Sequence, residues 1–262
     1  MIHCPKCHER LPDEASFCTY CGTRILPAEE REAERPRRCP ACGSEAHGAF
    51  CPTCGRHIEE GDEPRSPTAA WQAGSTVLLG KYGGEPIAWR VLKREGERAL
   101  LLSRDAIDCR PFHGASEEVR WDGCELRAWL NGEFLSAAFT VAEREGILTR
   151  GTVTWQSVPT FFTDAFRFPV RTRDAVFLLD DRSLLSLLDG EDARVCYPTV
   201  YARERGLSGD DFGAVPWLLR TTGQDPSLVA RVDGDGDLDR FGIPSGEACG
   251  VRPALYVRVH GR

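Results

Sequence analysis

The chain has no apolar run near the length of about 20 residues that a membrane-spanning helix requires. It also has no charged-then-apolar leader, since Met1-Ile2-His3-Cys4 leads straight into a cysteine motif. We therefore expect neither membrane insertion nor secretion by that route, and we predict a cytoplasmic protein. In that reducing compartment the cysteines are expected to be thiols rather than disulfides.

An excess of basic residues is also missing. The 262 residues contain 33 Lys and Arg against 40 Asp and Glu, a formal net charge of −7. Nucleic-acid binders usually carry a basic face, because phosphate neutralisation supplies most of their non-specific affinity. The basic cluster Arg35-Pro36-Arg37-Arg38 directly follows an acidic run, which is typical of a mixed-charge linker. The charge balance therefore disfavours nucleic-acid binding.

Cysteine, by contrast, is abundant, and eight of the 12 cysteines form two similar quartets near the start of the chain. Each quartet contains two Cys-x-x-Cys pairs, with ten residues between the pairs in the first quartet and eight in the second. Two such pairs can complete a tetrahedral shell around one divalent ion. The pattern predicts two structural zinc ions, one bound by Cys4, Cys7, Cys18 and Cys21 and the other by Cys39, Cys42, Cys51 and Cys54.

This repeat resembles the double zinc ribbon over residues 1 to about 57. A thioredoxin-like dithiol would need a βαβ pattern beside a single Cys-x-x-Cys, which the repeats lack. Iron in a rubredoxin-like site uses the same ligands and stays an alternative. Phe17 and Phe50 are expected to cover the two metals, and Gly22, Gly43 and Gly55 are expected in turns with positive φ.

Composition divides the chain into two parts, because all six tryptophans follow residue 70. We predict one zinc ribbon at residues 1–24, a charged linker at 25–36, a second ribbon at 37–57, a second linker at 58–74 and an α+β domain at 75–262. Within the second linker, residues 59–70 contain Pro64, Pro67 and acidic charge but no large apolar residue, which is typical of a solvated tether.

Short apolar runs joined by Gly-containing turns predict antiparallel strands in the larger domain. The predicted strands are 76–82, 87–92, 99–103, 176–179, 217–220, 227–232 and 254–259. Helical spacing of apolar residues predicts a helix that follows an N-cap at Asp122 and continues through Phe139. A second helix is predicted from Asp181 through Leu188. Strands with helices inserted between them favour an α+β fold over a parallel α/β sheet.

Six segments of this domain, at 82–92, 101–112, 126–131, 196–199, 217–220 and 250–255, resemble in matching order a bacterial family catalogued as domain of unknown function 6273. The likeness spans about residues 75–259. The last two segments are also similar to the end of C-type-lectin-like and formylglycine-generating-type domains, in which a central and a terminal strand meet in one small sheet. This resemblance implies a mainly antiparallel, C-type-lectin-like domain with inserted helices, in which the two segments are neighbouring strands.

The formylglycine-generating resemblance raises an enzymatic alternative, because such enzymes use a pair of reactive cysteines. Only Cys196 and Cys249 could serve that role, and their sequence surroundings do not resemble the family's pair. A Cys109/His113 nucleophile is a second possibility, but Pro111 and Gly114 predict a loop at His113 with no orienting carboxylate apparent. Buried cysteine is often only a small apolar side chain, and we favour that interpretation.

Two further patterns have a structural and a functional interpretation. The Asp233–Asp239 segment alternates Asp with Gly like a calcium loop, but it lacks the sixth-position Gly and twelfth-position Glu of an EF-hand. We favour a hairpin turn there. Four arginines lie in the segments that resemble the family of domain of unknown function 6273. They could bind a polar ligand, or they could pair with Asp105, Asp108 or backbone carbonyls. We favour structural roles for these four, which are Arg90, Arg110, Arg220 and Arg252.

The sequence therefore predicts a zinc-binding, non-enzymatic interaction protein, with two zinc ribbons tethered to a domain that recognises a protein or a small ligand. The alternatives are a formylglycine-generating-type enzyme acting on a peptide cysteine, and a nucleic-acid-associated zinc-ribbon protein.

Overall fold

The computed structural model describes two units of the chain, Met1–Pro64 and Arg65–Arg262. In the first unit the described residues are 2–3, 10–11, 17, 19–22, 37–38 and 45–46, and in the second they are 71–158 and 166–259. The boundary falls inside the segment predicted as the second linker. Trp71, at the end of that segment, packs against the core of the second unit. The secondary structure is mixed, with mainly antiparallel sheets and few helices, as the α+β prediction requires.

The described residues of the first unit form two short antiparallel strand pairs. Strand β1 (Ile2–His3) pairs with β2 (Arg10–Leu11), and β3 (Arg37–Arg38) pairs with β4 (Glu45–Ala46). The registers match Ile2 with Leu11 in the first pair and Arg37 with Ala46 in the second. The two cysteine repeats therefore share the same local pairing.

The second unit contains a six-stranded antiparallel sheet with the order β12-β17-β7-β6-β5, in which β9 also pairs with β17. Its strands are β5 (Thr76–Tyr82), β6 (Glu85–Glu95), β7 (Arg98–Ser103), β9 (Ile147–Leu148), β12 (Val176–Phe177) and β17 (Ala254–Arg258). The predicted meander is confirmed, and β5 has the predicted bounds. The strand predicted at 176–179 is shorter, because pairing with β17 stops at Phe177.

A second, five-stranded sheet has the order β15-β14-β13-β16-β8. Its strands are β8 (Asp108–Pro111), β13 (Trp217–Thr222), β14 (Leu228–Val232), β15 (Leu238–Pro244) and β16 (Ala248–Val251). Strands β13 and β16 are parallel neighbours through Trp217 and Gly250. The predicted pairing is therefore confirmed for the start of segment 250–255 only, because Ala254 and Leu255 lie in β17 of the other sheet. Pro253 lies between β16 and β17, where the chain passes from this sheet to the first and where proline removes no strand hydrogen bond.

Gly250 allows the close approach of these two segments, because its amide donates to the Pro216 carbonyl at 3.2 Å and a Cβ there would lie 2.4 Å from that oxygen. We expect Gly250→Ala to lower the free energy of unfolding by about 1–3 kcal/mol, since backbone must move to relieve the contact. Urea denaturation measures the change. Gly132→Ala is the matched control, because its Cβ would meet nothing within 4 Å. Equal stability of both variants would contradict the close approach.

A long hairpin, which the sequence did not predict, lies outside both sheets. It pairs β10 (Arg150–Val158) with β11 (Phe166–Asp174) from Arg150 opposite Asp174 to Val158 opposite Phe166. Its described side chains include the buried Thr152, Thr154 and Asp174. The hairpin therefore contributes polar groups to the interior.

The helices are short. They are α1 (Glu125–Trp129), a π-helical turn (Leu130–Phe134), α2 (Leu135–Ala138), α3 (Val141–Gly146), α4 (Asp181–Leu187) and α5 (Val200–Glu204). The N-cap predicted at Asp122 is wrong, because Cys124 takes the extended cap conformation and its Sγ accepts the Arg127 amide at 3.4 Å. Helix α4 has the Asp180 carboxylate as its cap, 2.7 Å from the Ser183 amide.

One continuous apolar core connects the two sheets with α1, the π-helical turn and α2. Its largest fully buried side chains include Trp89, Trp121, Trp217, Phe112 and Phe134. Four tryptophans of the larger unit, which are Trp89, Trp121, Trp129 and Trp217, thus belong to the core, as expected for large apolar side chains in an α+β domain. Among the described residues, the helices are too short and too polar to cross a bilayer.

Candidate functional site

In each N-terminal strand pair, the sequence between the two strands contains a Cys-x-x-Cys pair. Residues 4–9 connect β1 to β2, and residues 39–44 connect β3 to β4. Each connection begins with the first cysteine of a Cys-x-x-Cys pair. In sequence, a Cys-x-x-Cys pair can supply two of the four thiolates that a tetrahedral zinc shell requires. The local pairing therefore fits the predicted metal, and the second Cys-x-x-Cys of each quartet would supply the other two ligands.

Cys21 is the one predicted ligand within the described residues, and it ends a turn that begins at Thr19. Gly22 follows with φ of 71°, which confirms the positive φ expected after a ligand. Phe17 is 61% exposed, and its expected role in covering the metal stays a prediction. No group of three metal-binding side chains occurs among the described residues. Gly43, Gly55, Phe50 and the ligands Cys4, Cys7, Cys18, Cys39, Cys42, Cys51 and Cys54 lie outside them.

In the larger unit, a buried carboxylate on β8 collects polar side chains from three segments. The Asp108 carboxylate accepts hydrogen bonds from the Tyr82 hydroxyl at 2.8 Å and from Arg110 Nε at 2.9 Å. Arg205 Nε lies 3.3 Å from its other oxygen, which also accepts the Cys109 amide at 2.8 Å. Asp108 and Arg110 share one face of β8 because side chains alternate along a strand. We call these residues, together with Tyr201 and Trp129, the Asp108 cluster.

Aromatic rings pack around this carboxylate. The Arg110 guanidinium lies 4.0 Å from the centre of the Trp129 ring, within cation–π range. Tyr82 packs edge-on against Tyr201, with ring centres 5.1 Å apart. Gly83 brings these elements together, since its φ is +58° and a Cβ there would lie 2.4 Å from Tyr201 Cβ. The outcome is a half-exposed surface on which two arginines share one buried carboxylate.

Burial and the hydrogen bond to Asp108 raise the pKa of Tyr82 above its ordinary value of 10.0. A raised pKa means that the neutral tyrosine stabilises the fold at neutral pH and that this contribution is lost as the pH rises beyond 10. We expect Tyr82→Phe to lower the free energy of unfolding by about 1–2 kcal/mol at neutral pH. The difference between wild type and variant should shrink in alkaline buffer.

Urea denaturation at neutral and alkaline pH measures both effects. Tyr197→Phe is the control, because Tyr197 is 49% exposed. A Tyr82→Phe protein as stable as wild type at neutral pH would show that Asp108 does not depend on this hydroxyl.

The comparisons with known families agree with this architecture. Residues 96–259 match the family described as Domain of unknown function (DUF6273), which is more than half of the chain. The chain belongs to the DUF6273 family. Residues 4–55 match the double zinc ribbon, which implies zinc binding by the N-terminal unit. Both resemblances inferred from the sequence are thereby confirmed. No curated protein and no solved structure matches the chain.

Two of the four arginines considered from the sequence, Arg220 and Arg252, are buried and structural, as we favoured. Arg220 donates to the Asp180 carboxylate at 2.8 Å, to Thr154 Oγ1 at 2.8 Å and to the Leu178 carbonyl at 2.6 Å. Burial lowers the pKa of Arg220. These bonds connect β13 to the β10–β11 hairpin and to the cap of α4, so Arg220 holds three elements together.

Arg252 has a similar role at the crossing between the sheets. Its Nε donates to the Ser103 carbonyl at 3.0 Å and its Nη1 donates to the Arg194 carbonyl at 3.1 Å. The guanidinium lies 4.8 Å from the centre of the Trp217 ring. Arg90 also reaches a backbone carbonyl, that of Ala193, at 3.4 Å. Backbone carbonyls were among the partners predicted for these arginines, whereas Asp180 was not predicted for Arg220.

The cysteines of the DUF6273 domain have environments that suppress reactivity. Cys196 is fully buried beside the Tyr197 carbonyl, and burial raises its pKa to about 11. Cys249 is buried on β16, and burial raises its pKa to about 12. His113 Nε2 lies 3.0 Å from the Glu117 carboxylate, a partner that the sequence did not indicate. This histidine therefore contacts a carboxylate rather than forming the Cys109 pair considered from the sequence.

The Asp233–Asp239 segment forms the predicted turn between β14 and β15. The Asp233 amide donates to the Asp237 carbonyl at 3.0 Å, and the Asp237 amide donates to Asp233 Oδ1 at 2.8 Å. One carboxylate oxygen of Asp233 is therefore engaged in a hydrogen bond that closes the turn. Gly236 takes φ of +91° and lies against the Glu191 carbonyl. The hairpin interpretation is confirmed.

The sequence singled out Arg110 and Asp108 but not Tyr82 or Arg205 as their partners. Tyr82 ends β5, and Arg205 is the C-cap of α5, so both reach Asp108 from distant parts of the chain. The only available signal was that Tyr82 and Asp108 both lie in segments resembling the family. That signal identifies important positions, but it does not identify contacts.

Proposed function

We propose that this chain is a zinc-binding, non-enzymatic recognition protein. Two structural zinc ions would order the N-terminal ribbons, and the DUF6273 domain, as a C-type-lectin-like module, would bind a protein or small ligand. The eight ligands must be reduced thiolates to bind metal, which suits a cytoplasmic setting. We infer the recognition role from the Asp108 cluster.

The zinc part rests on the two cysteine quartets and on the match of residues 4–55 to the double zinc ribbon. A shell of four cysteines leaves no open coordination position, so such an ion stabilises a fold instead of activating water. Two quartets would bind two ions. The ribbons would then be compact modules that position or bind a partner.

The recognition part rests on charge and exposure around Asp108. Arg110 and Arg205 share a single carboxylate, so the cluster carries more positive than negative charge. The Arg110 side chain is 26% exposed and that of Arg205 is 46% exposed, which leaves both within reach of a ligand. Planar guanidinium groups bind carboxylates well, and the Trp129 ring fixes one of them in place. We infer that an acidic group of the partner binds here.

Formylglycine-generating chemistry is disfavoured on physical grounds. That reaction requires reactive thiols, and the thiolate is the reactive form. Burial raises the pKa of both Cys196 and Cys249 well above neutrality, so both are protonated thiols. Arg252 beside Cys196 opposes this rise but does not overcome burial.

We expect iodoacetamide to label Cys109 before Cys196 and Cys249 in the folded, zinc-loaded protein at neutral pH. Cys109 is half-buried, whereas the other two are at most 3% exposed. Peptide mass spectrometry over a time course gives the order of labelling. Rapid modification of Cys196 or Cys249 would contradict their assignment as inert core residues and would favour the enzymatic alternative.

Affinity purification with the full chain tests recognition at the Asp108 cluster. We expect a reproducible partner that is retained less by Arg205→Gln and is retained normally by Arg171→Gln, a change of the same charge at an exposed position on β11. Circular dichroism establishes that both variants fold. Equal retention by all three proteins would remove the cluster as the recognition site. Nuclease-sensitive retention would instead favour the nucleic-acid alternative.

A further inference from the structure

A shallow depression lies at one end of the six-stranded sheet, away from the residues of the Asp108 cluster. Its volume is about 580 Å³, and it is open to solvent. The start of β7, the end of β17 and the connection from β9 to β10 form its walls. Its lining residues are Glu97, Arg98, Leu148, Thr149, Arg150 and Arg258.

Two of these arginines face each other directly across neighbouring strands. Arg98 on β7 is the register partner of Arg258 on β17. The Val259 amide donates to the Glu97 carbonyl at 2.7 Å, which makes Arg98 and Arg258 a pair without mutual backbone hydrogen bonds. Side chains are closest in pairs of this kind, and like charges directly opposite each other are destabilising. The sheet therefore holds two positive charges together at a cost to stability.

A third arginine adds to this positive charge. The Arg150 guanidinium lies 5.2 Å from the centre of the Tyr256 ring, which holds it over the same face of β17. Tyr256 and Arg258 share that face because they are two residues apart on one strand. The depression thus brings three guanidinium groups together on a chain whose net charge is −7.

The nearby carboxylates neutralise these arginines only in part. Glu95 is the register partner of Arg98, and its carboxylate pairs with Lys93 Nζ at 2.6 Å. Lys93 lowers the pKa of Glu95 most, and Arg150 and Arg98 contribute less. Glu97 lines the depression and offsets one of the three charges. In the part of the chain that the structure describes, no carboxylate lies within ion-pair distance of Arg98, Arg150 or Arg258. The depression therefore has a net positive charge, which an anionic ligand would neutralise.

We propose that this depression binds a phosphoryl group, carried either by a small soluble molecule or by a lipid headgroup. A phosphate presents several acceptor oxygens and up to two negative charges, and arginine binds it with paired N–H donors. Such a ligand would attract both Arg98 and Arg258, and this attraction would offset the repulsion between them. The exposed Thr149 hydroxyl can donate a further hydrogen bond, and the half-buried Leu148 offers apolar contact to the rest of the molecule.

Isothermal titration calorimetry of the full, zinc-loaded chain with inorganic pyrophosphate tests the proposal. We expect saturable binding that weakens about tenfold or more in Arg98→Gln and in Arg258→Gln, because each loses a charge-assisted hydrogen bond. Arg258→Lys should retain more affinity than Arg258→Gln. Arg171→Gln is the matched control and should bind like wild type.

Thermal unfolding of the same proteins provides a second measurement. Without pyrophosphate, Arg258→Gln should melt at a higher temperature than wild type, since the like-charge pair is relieved. With pyrophosphate, the melting temperature should rise in wild type and in Arg171→Gln but not in Arg258→Gln. A lower melting temperature for ligand-free Arg258→Gln would contradict the repulsion on which the proposal rests.

A binding experiment with phospholipid vesicles distinguishes a lipid headgroup from a soluble phosphate as the source of the phosphoryl group. Binding to phosphatidic acid vesicles but not to pyrophosphate, lost in Arg98→Gln and Arg258→Gln, would support the site and identify a lipid headgroup as the source. Absence of binding to both probes would overturn the proposal, as would binding that the two variants leave unchanged. Binding of a single-stranded oligonucleotide without binding of pyrophosphate would also overturn it, in favour of a nucleic-acid surface.

Discussion

Chelation of zinc is expected to unfold the N-terminal ribbons and to leave the DUF6273 domain folded. Small Cys₄ modules have almost no core without metal, and structural zinc contributes about 10 kcal/mol or more to folding in comparable peptides. The larger unit has a continuous apolar core of its own. Hydrogen exchange followed by mass spectrometry should therefore show lost protection in peptides from residues 1–57 and unchanged protection in peptides from 75–259.

Readdition of zinc is the control for chelation, and it should restore protection in the ribbons. Calcium chelation alone should change nothing, since the Asp233–Asp239 segment is a turn closed by its own hydrogen bonds. Loss of protection throughout the chain would contradict the separation into two independently stable units.

Arg220→Met is expected to lower the free energy of unfolding by about 3–5 kcal/mol, the cost typical of breaking a buried ion pair. The substitution leaves Asp180 as a buried carboxylate without its cation and removes the donor to Thr154. The Asp180 carboxylate also caps α4, so the effect should extend to that helix. Denaturant unfolding measures the loss, and hydrogen exchange locates it.

Arg104→Met is the matched control for Arg220→Met. Arg104 pairs with Asp105 at 3.3 Å, but its side chain is 64% exposed, and exposed pairs contribute about 1 kcal/mol or less. A small effect at both positions would mean that Arg220 is not the structural link among β13, α4 and the β10–β11 hairpin. A large effect at Arg220 would leave the Asp108 cluster as the better candidate for recognition.

The strands that sequence patterns predicted well are those with strong alternation and clear turn residues. β5 has the predicted bounds at Thr76–Tyr82, and the meander through β6 and β7 follows it. These elements are determined by local signals, because burial of alternate residues and Gly-containing turns act over short distances. The same reasoning predicted the hairpin between β14 and β15.

The β10–β11 hairpin was missed because its signals conflict. Pro169 lies within β11 opposite Trp155, and a proline inside an apolar run argues against a strand. The structure accommodates this proline at an exposed position. Likewise, the general preference for Asp at an N-cap favoured Asp122, whereas tertiary packing buries Cys124 at that position and uses its sulfur.

In the Asp108 cluster, the contacts between distant parts of the chain could not be predicted from local sequence patterns. Alternation along β8 puts Asp108 beside Arg110, which makes that pair predictable. Tyr82 and Arg205 arrive from β5 and from the end of α5, and only the packing of those elements brings them to the carboxylate. The repulsive pair of Arg98 and Arg258 has the same origin, since strand register alone places them opposite each other.

The number of zinc ions per chain tests the central claim most directly. Native mass spectrometry of the purified protein should show two zinc ions per chain, and Cys18→Ser and Cys51→Ser should each lose one ion and retain the other. A mass corresponding to iron would correct the metal, although not the ligands. A wild-type chain with one ion or none, or loss of both ions from a single substitution, would contradict two separate Cys₄ zinc ribbons.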